Sequence, residues 1–157
     1  MGRILERAEL VKALGEERRQ GRTIVFTNGC FDLLHPGHVR TLAAAKRLGD
    51  RLVVALNSDE SVKRLGKGHD RPILEQNERA EVIAALAAVD YVTIFEEDTP
   101  LEVIKAVAPD VLVKGGDWTP EMVVGAEWVK GQGGRVESAP YHAGVSTTEL
   151  IRRIRGG

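Results

Sequence analysis

Two histidines stand three residues apart in the segment His35-Pro36-Gly37-His38, shortly after an apolar run that begins at Ile24. The run is β-branched and aromatic, which predicts a buried strand, and Pro36 predicts the first position of a helix. Because residues three apart in a helix project from the same side, both imidazoles should face one point. A single histidine at a helix start is usually plain polar surface. The pair, at a helix start whose N–H groups and dipole favour anions, predicts a phosphate-binding site.

A second anion-binding pattern lies near the C-terminus, at Ser146-Thr147-Thr148. Ser146 and Glu149 have the spacing of a capping box, and Ile151 and Ile154 continue the apolar face of the helix that it would start. As structure alone, the capping box explains these residues as the start of a helix. Its hydroxyls and the N–H groups of the first turn also suit a phosphate, so the segment predicts a helix start with two uses.

A cluster of cations follows the second predicted strand, which spans residues 51–56. Lys63, Lys67 and His69 occur among glycines, a composition that a solvated loop would also explain. A loop at the carboxyl end of a strand nevertheless shares the edge where open α/β sheets bind ligands. Arg79 is either an ordinary surface arginine or a sign of a nearby anion, because a cation in the first turn of a helix opposes the helix dipole.

Apolar runs and turn residues divide the chain into alternating strands and helices. Five strands are predicted, at residues 23–27, 51–56, 91–95, 111–113 and 135–139. Amphipathic segments predict helices within residues 4–20, over 77–89 and from Thr119 onward, with a short helix capped by Ser58. A further helix has Thr99 as its N-cap and Pro100 at its first position. The alternation predicts an α/β fold, a doubly wound five-stranded parallel sheet with helices on both faces.

Composition limits the class of protein. The 157 residues suffice for one domain, so residues 1–157 are expected to form a single unit, with residues 1–21 packed on it as a helix. The formal net charge of −1 gives no general attraction to nucleic acid or membranes. Cys30 is the one cysteine, which suits a reducing cytoplasm, and no signal-peptide or membrane-spanning pattern occurs. The missing Gly-x-Gly-x-x-Gly fingerprint argues against an NAD-dependent oxidoreductase.

The two phosphate motifs, in this order at opposite ends of the chain, resemble the nucleotidyltransferases that carry the His-x-Gly-His signature. The resemblance extends from Thr23 to Ile154 and implies a Rossmann-like fold. The sequence is most similar to family members that transfer AMP from ATP to D-glycero-D-manno-heptose 1-phosphate, giving ADP-heptose and pyrophosphate. The segments that carry this similarity are residues 26–32, 57–59, 63–65, 95–100, 114–117 and 146–148.

The resemblance also implies roles for individual residues. Catalytic residues would be His35 and His38, on the α- and β-phosphate oxygens, and Lys67, which would neutralise charge during transfer, with Lys63 as the alternative lysine. The nucleotide-binding residues would be Thr27, Asn28, Gly29, Phe31, Gly37, Ser146, Thr147 and Thr148. The substrate-binding residues would be Asp32, Lys63, Arg79 and Asp117.

The resemblance implies ligands and partners as well. Mg²⁺ would accompany ATP, carried by its phosphates and by water, so no metal-ligating residue is predicted. A sugar 1-phosphate would be the acceptor. A separate heptose kinase would be a pathway partner, because 157 residues leave no room for a kinase domain, and relatives often form homodimers. Cytidylyl transfer to glycerol 3-phosphate, adenylyl transfer to a flavin, and a nucleotide-binding module without turnover are the alternatives.

Overall fold

The sheet at the centre of the molecule has six parallel strands. The computed structural model describes residues 1–116, 119, 122–139 and 146–156. Within this part of the chain the strands are β1 (Arg3–Ile4), β2 (Ile24–Gly29), β3 (Arg51–Asn57), β4 (Tyr91–Phe95), β5 (Val111–Gly115) and β6 (Arg135–Ala139). They lie in the order β1-β4-β3-β2-β5-β6, and each neighbouring pair is parallel. The predicted parallel α/β fold is confirmed, with one strand more than the five predicted.

The additional strand is β1, at the edge beside β4. Arg3 and Ile4 pair with Tyr91 and Val92, and the backbone N–H of Leu5 donates to the carbonyl of Val92 at 2.9 Å. Both β1 residues are exposed. A two-residue exposed strand has no apolar periodicity, so the sequence gave no signal for it.

Helices cover both faces of the sheet. Those described are α1 (Arg7–Arg19), α2 (Pro36–Lys46), α3 (Asp59–Arg64), α4 (Gln76–Ala84), α5 (Leu101–Val107), α6 (Ala126–Gly131) and α7 (Thr147–Ile154). Leu42 of α2 and Ile83 of α4 pack in the core on one face. Leu14 of α1, Ile104 of α5 and Val129 of α6 pack on the other. In the part of the chain that the structure describes, every helix is too short or too polar to cross a bilayer.

One helix differs clearly from its predicted bounds. The predicted helix over 77–89 ends at Ala84, because the chain tightens there: the N–H of Leu86 donates to Ile83 and that of Val89 donates to Leu86. Leu86 and Val89 still pack on the core, so the apolar spacing continues beyond the helix. The helix start predicted at Thr119-Pro120-Glu121 includes residues outside the described part of the chain, where α6 spans Ala126–Gly131. The N-cap of α5 is Pro100 rather than Thr99, a shift of the kind common at helix ends.

The strand order reverses at β2. The chain runs from β2 through β3 to β4 on one side of the sheet and later adds β5 and β6 on the other. Loops that leave β2 and β5 therefore diverge, and they open a crevice at the carboxyl ends of the strands, where open α/β sheets bind ligands. β2 ends at Gly29 and β5 at Gly115, so the histidine loop (residues 30–35) borders this crevice.

We expect Ile104→Ala to lower the free energy of unfolding by about 2–5 kcal/mol, because it removes a large buried side chain and leaves a cavity. Ile104 is 0% exposed, on the face opposite α2. Urea denaturation would measure the change. Ile154→Ala, at a position that is 76% exposed, is the matched control and should change the value by less than about 0.5 kcal/mol. Equal effects of the two substitutions would contradict the assignment of Ile104 to the core.

Candidate active site

The two histidines occupy the first turn of α2. His35 is the N-cap, in an extended conformation with φ −140° and ψ 168°, and Pro36 is the first helical residue. The His35 and His38 rings stack with centroids 3.7 Å apart and planes inclined by 22°. The Phe31 ring lies against His38 with centroids 5.0 Å apart, and Gly37 is buried between the histidines in the sequence. The expected convergence of the two imidazoles is present.

His38 is held as a neutral imidazole. The backbone N–H of His35 donates to Nδ1 of His38 at 3.4 Å, so the proton of the neutral ring lies on Nε2, which is left as a donor. Burial, with smaller contributions from His35 and Lys67, lowers the pKa of His38 to about 4. Burial also lowers the pKa of His35. At neutral pH the pair therefore offers N–H donors to an anion.

The end of β2 is shaped by a close contact between Gly29 and Phe31. A Cβ on Gly29 would lie 2.8 Å from Cε2 of Phe31, and Phe31 has a φ of +46°, which L residues rarely adopt. Thr27 is buried, and its hydroxyl donates to the carbonyl of Val113 in β5 at 2.9 Å. Asn28 is half-buried between them. The β2 residues that were predicted to contact the nucleotide thus lie at the crevice. The Thr27 side chain links β2 to β5, the two strands that border the crevice.

Lys67 faces the histidine loop, whereas Lys63 does not. The Lys67 ammonium lies 3.6 Å from Sγ of Cys30, and its charge acts on His38. Lys63 instead donates to Glu60 at 3.2 Å, and 58% of its side chain is exposed. Of the two lysines left open by the sequence, the structure brings Lys67 to the site.

Lys114 is a second lysine at the site, which the sequence analysis did not include among its candidates. It is the next-to-last residue of β5. Burial and the charge of Lys67 lower the pKa of Lys114, and its charge also interacts with Cys30. The available signal was a cation followed by two glycines at the end of a predicted strand. That signal became specific only with the sheet order, which places β5 beside β2.

Asp32 connects the histidine loop to the segment that follows Lys67. Its side chain is 0% exposed and accepts three hydrogen bonds, from Nε of Arg71 at 3.1 Å and from the backbone N–H groups of Ile73 at 2.7 Å and Leu74 at 2.9 Å. Both carboxylate oxygens are therefore used by the protein. These contacts make Asp32 a brace between two loops, where the sequence analysis had expected a contact with substrate.

Arg79 likewise has protein partners. It is 0% exposed, and its guanidinium donates to the carbonyl of Leu74 at 3.0 Å, to that of Cys30 at 2.7 Å and to the carboxylate of Asp59 at 2.8 Å. An anion does offset the cation in the first turn of α4, as the dipole argument requires. That anion is Asp59 at the start of α3, so Arg79 also braces the loops around the crevice.

The start of α7 lies against the histidine loop. Ser146 caps the helix by accepting from the N–H of Glu149 at 3.0 Å, and the hydroxyl of Thr147 donates to the carbonyl of Leu33 at 3.2 Å. Thr148 lines a cleft of about 410 Å³ together with Lys67, Asp70, Arg71, Ile151, Arg152 and Arg155. The two predicted phosphate motifs are thus brought together around Lys67. Asp117, the remaining predicted substrate residue, lies outside the described residues.

The parallel sheet, with two helix starts brought together at the carboxyl end of β2, has the architecture of the α/β nucleotide-binding proteins. The family model described as cytidylyltransferase-like matches residues 26–153. The chain therefore belongs to the cytidylyltransferase-like family, which confirms the predicted nucleotidyltransferase class.

Two curated proteins and one solved structure illustrate the similarity of this chain to known proteins. The chain is 57% identical to the bifunctional protein HldE of Syntrophotalea carbinolica over 94% of its own length and 30% of that protein. It is also 57% identical to HldE of Bradyrhizobium diazoefficiens, over 98% and 31% of the two lengths. The chain thus spans less than a third of these curated relatives. The crystal structure of the lipopolysaccharide core biosynthesis protein from Thermoplasma volcanium is 30% identical, with a TM-score of 0.63, and the match covers 78% of this chain and 98% of that one.

We expect the His38 ring to titrate with a midpoint near pH 4, the value to which burial lowers its pKa. Because the folded pKa lies below the ordinary value of about 6.5, the unfolded state binds more protons between those pH values, and His38 destabilises the fold as the pH falls through that window. NMR titration of the imidazole resonances would measure the midpoint. His38→Gln should remove this contribution from the pH dependence of unfolding. A His38 midpoint near 6.5 would contradict the neutral, half-buried ring.

Proposed function

We propose that this chain transfers AMP from ATP to D-glycero-D-manno-heptose 1-phosphate, giving ADP-heptose and pyrophosphate. The observation that carries the proposal is the convergence of His35, His38 and Lys67 with the start of α7 at the carboxyl end of β2. The sequence motifs shared with heptose 1-phosphate adenylyltransferases support the acceptor. The similarity to a protein named for lipopolysaccharide core biosynthesis supports it further.

The proposed reaction is a direct in-line displacement. An oxygen of the acceptor phosphate attacks the α-phosphorus of ATP and forms a new P–O bond, while the bond from that phosphorus to the bridging oxygen breaks and pyrophosphate leaves with the electron pair. Such reactions are accelerated mainly by positioning and by donors that match the charge of the transition state. The site has donors of this kind and requires no covalent intermediate.

The proposal assigns a role to side chains and main-chain groups around the histidine loop and the start of α7. His35 and His38 would donate to α- and β-phosphate oxygens, with the neutral His38 using Nε2. Lys67 would neutralise charge as the attacking and leaving groups separate. The N–H groups and hydroxyls at the start of α7, from residues 146–148, would hold the β- and γ-phosphates. The main chain of residues 27–31, with Gly37, would line the nucleotide, and Asp117 is retained as a candidate for the acceptor.

Mg²⁺ would reach the site as part of MgATP. Within the described residues, no group of three or more His, Cys, Asp or Glu side chains is placed to hold a metal ion. The phosphates themselves and water are the usual ligands of Mg²⁺ in such reactions, and MgATP is therefore written here as a substrate. A resident metal centre forms no part of the proposal.

The proposal extends to the cellular setting. We infer that residues 1–157 form one catalytic domain, that it works in the cytoplasm where ATP is available, and that a heptose kinase supplies its sugar 1-phosphate. A kinase is one source of the acceptor, because phosphoryl transfer to the anomeric hydroxyl of a sugar gives a sugar 1-phosphate. A homodimer is part of the proposal on the strength of the family resemblance.

A pyrophosphate-release assay tests the function. The chain would be incubated with ATP or CTP, each against D-glycero-D-manno-heptose 1-phosphate and glycerol 3-phosphate, in the presence of Mg²⁺. We expect release only with ATP plus the heptose 1-phosphate. Release with another pair would keep the chemistry and overturn the acceptor or the nucleotide. Nucleotide binding without release in any pairing would favour the module without turnover.

We expect Lys67→Met to lower kcat at least roughly tenfold, because it removes a cation that matches transition-state charge. Lys63→Met is the matched comparison, since it removes the same charge from a lysine that pairs with Glu60 at the surface. Its kcat should stay within about twofold of the wild-type value, as expected for an exposed ion pair. The same assay measures both. A larger loss in Lys63→Met than in Lys67→Met would reverse the assignment.

A further inference from the structure

Phe31 has a left-handed backbone conformation in the loop that leads to the two histidines. Its φ is +46°, and within the described part of the chain Ala108 is the only other non-glycine residue with a positive φ. An aromatic residue adopts this conformation at a cost in free energy that glycine would avoid, because its Cβ crowds the backbone. Such a conformation persists where surrounding contacts determine it. The contacts of the Phe31 ring therefore have to offset this cost.

One of these contacts is with the main chain of Gly29, the last residue of β2. A Cβ at position 29 would lie 2.8 Å from Cε2 and 3.2 Å from Cδ2 of Phe31, so the ring occupies the space that a side chain would need. The backbone conformation of Gly29 does not itself call for glycine, because the residue is paired with Leu56 in the sheet and its φ lies outside the left-handed region. The ring of Phe31 is therefore what excludes a Cβ at position 29.

The other contact is with the imidazole of His38. The Phe31 and His38 ring centroids lie 5.0 Å apart with planes inclined by 56°, a tilted geometry that aromatic pairs favour. The hydrogen bond that Nδ1 of His38 accepts from the backbone N–H of His35 is long at 3.4 Å, so it restrains the ring only weakly. Phe31 itself packs against the core that contains Leu42 and Ile83. Its ring thus connects the His38 imidazole to the rigid part of the fold.

The Phe31 ring also keeps water from one side of His38. Burial is the largest cause of the lowered pKa of His38, ahead of the charges of His35 and Lys67, and the charge of Asp32 acts in the opposite direction. Because Phe31 carries no charge, its effect on the imidazole acts through burial and contact alone. The ring and these charged groups can therefore be separated by substitution.

We propose that Phe31 is a positioning residue for His38: its ring, seated on the main chain of Gly29, holds the imidazole in the orientation in which Nε2 meets the phosphates of the nucleotide. The inference rests on the proposed function for the identity of the reaction. It assigns the side chain of Phe31 to His38 and leaves its main chain to the nucleotide. The left-handed conformation of Phe31 is then part of the site, because it places the ring over the end of β2.

NMR titration of the His38 imidazole in the ligand-free protein, assigned with His38→Gln, tests the contact without turnover. Phe31→Leu removes the ring, and Gly29→Ala adds a Cβ where the ring lies, so both should raise the midpoint from near pH 4 towards the ordinary value of about 6.5. Phe31→Tyr keeps the ring and should keep the midpoint. Gly131→Ala is the matched control, because a Cβ there meets nothing within 4 Å. An unchanged midpoint in Phe31→Leu, or in Gly29→Ala should Phe31→Leu fail to fold, would overturn the proposal.

Steady-state kinetics in the pyrophosphate-release assay separates positioning from structural support. We expect kcat of Phe31→Leu to fall roughly tenfold or more, because a displaced donor no longer meets the transition state. The KM for MgATP should change less, since the start of α7 still contacts the phosphates, and Phe31→Tyr should retain most of the wild-type kcat. A raised KM with unchanged kcat would reject the positioning role. If the wild type turns over no acceptor but the His38 midpoint depends on Phe31, the contact stands and the proposed reaction fails.

Discussion

The buried carboxylate of Asp32 is the contact on which the geometry of the site depends. It lies in the histidine loop, and its donors, Arg71, Ile73 and Leu74, come from the segment that follows Lys67. A buried charge is tolerated only when its oxygens are paired, so the two loops cannot separate without leaving the carboxylate unsatisfied. Asp32 therefore fixes the segment that follows Lys67 against the histidine loop. Arg79 strengthens the same assembly by joining Cys30 to Leu74 and Asp59.

Within this scaffold, histidine supplies a neutral hydrogen-bond donor and the lysines supply positive charge. His38 is half-buried and within the electrostatic influence of Lys67, so its ring is neutral well below pH 7, with Nε2 left as the donor. A protonated His38 would add a further like charge near Lys67. Keeping it neutral leaves directional N–H donors on the phosphate oxygens and reserves positive charge for lysines at the edges of the crevice. Donors fixed in advance need little reorganisation during transfer, which is the condition under which electrostatic stabilisation is most effective.

The sequence predicted what depends on local patterns. The apolar runs located the five long strands, and the spacing of the histidines and the capping box at Ser146 located the two helix starts. Arg79 shows the limit of prediction from local sequence patterns. The dipole argument correctly required an anion near a first-turn cation, but it could not distinguish a ligand from Asp59, which is twenty residues away in the sequence and 2.8 Å away in the fold. Lys114 was missed for a related reason: its value depends on β5 lying next to β2, a fact of sheet order rather than of any one segment.

The role of α7 follows from how little of it is buried. Thr147 is its one buried residue, Leu150 and Ile151 are half-buried, and its links to the rest of the site include the Thr147–Leu33 hydrogen bond and the Arg155–Asp70 ion pair. An exposed ion pair and a single hydrogen bond contribute little to docking, and elements held in this way belong to the less stable part of a fold. A triphosphate that contacts both the histidine turn and the start of α7 would supply the missing stabilisation, because a ligand that binds only the docked form shifts the equilibrium towards it. In the proposed function, nucleotide binding would therefore be coupled to the docking of α7.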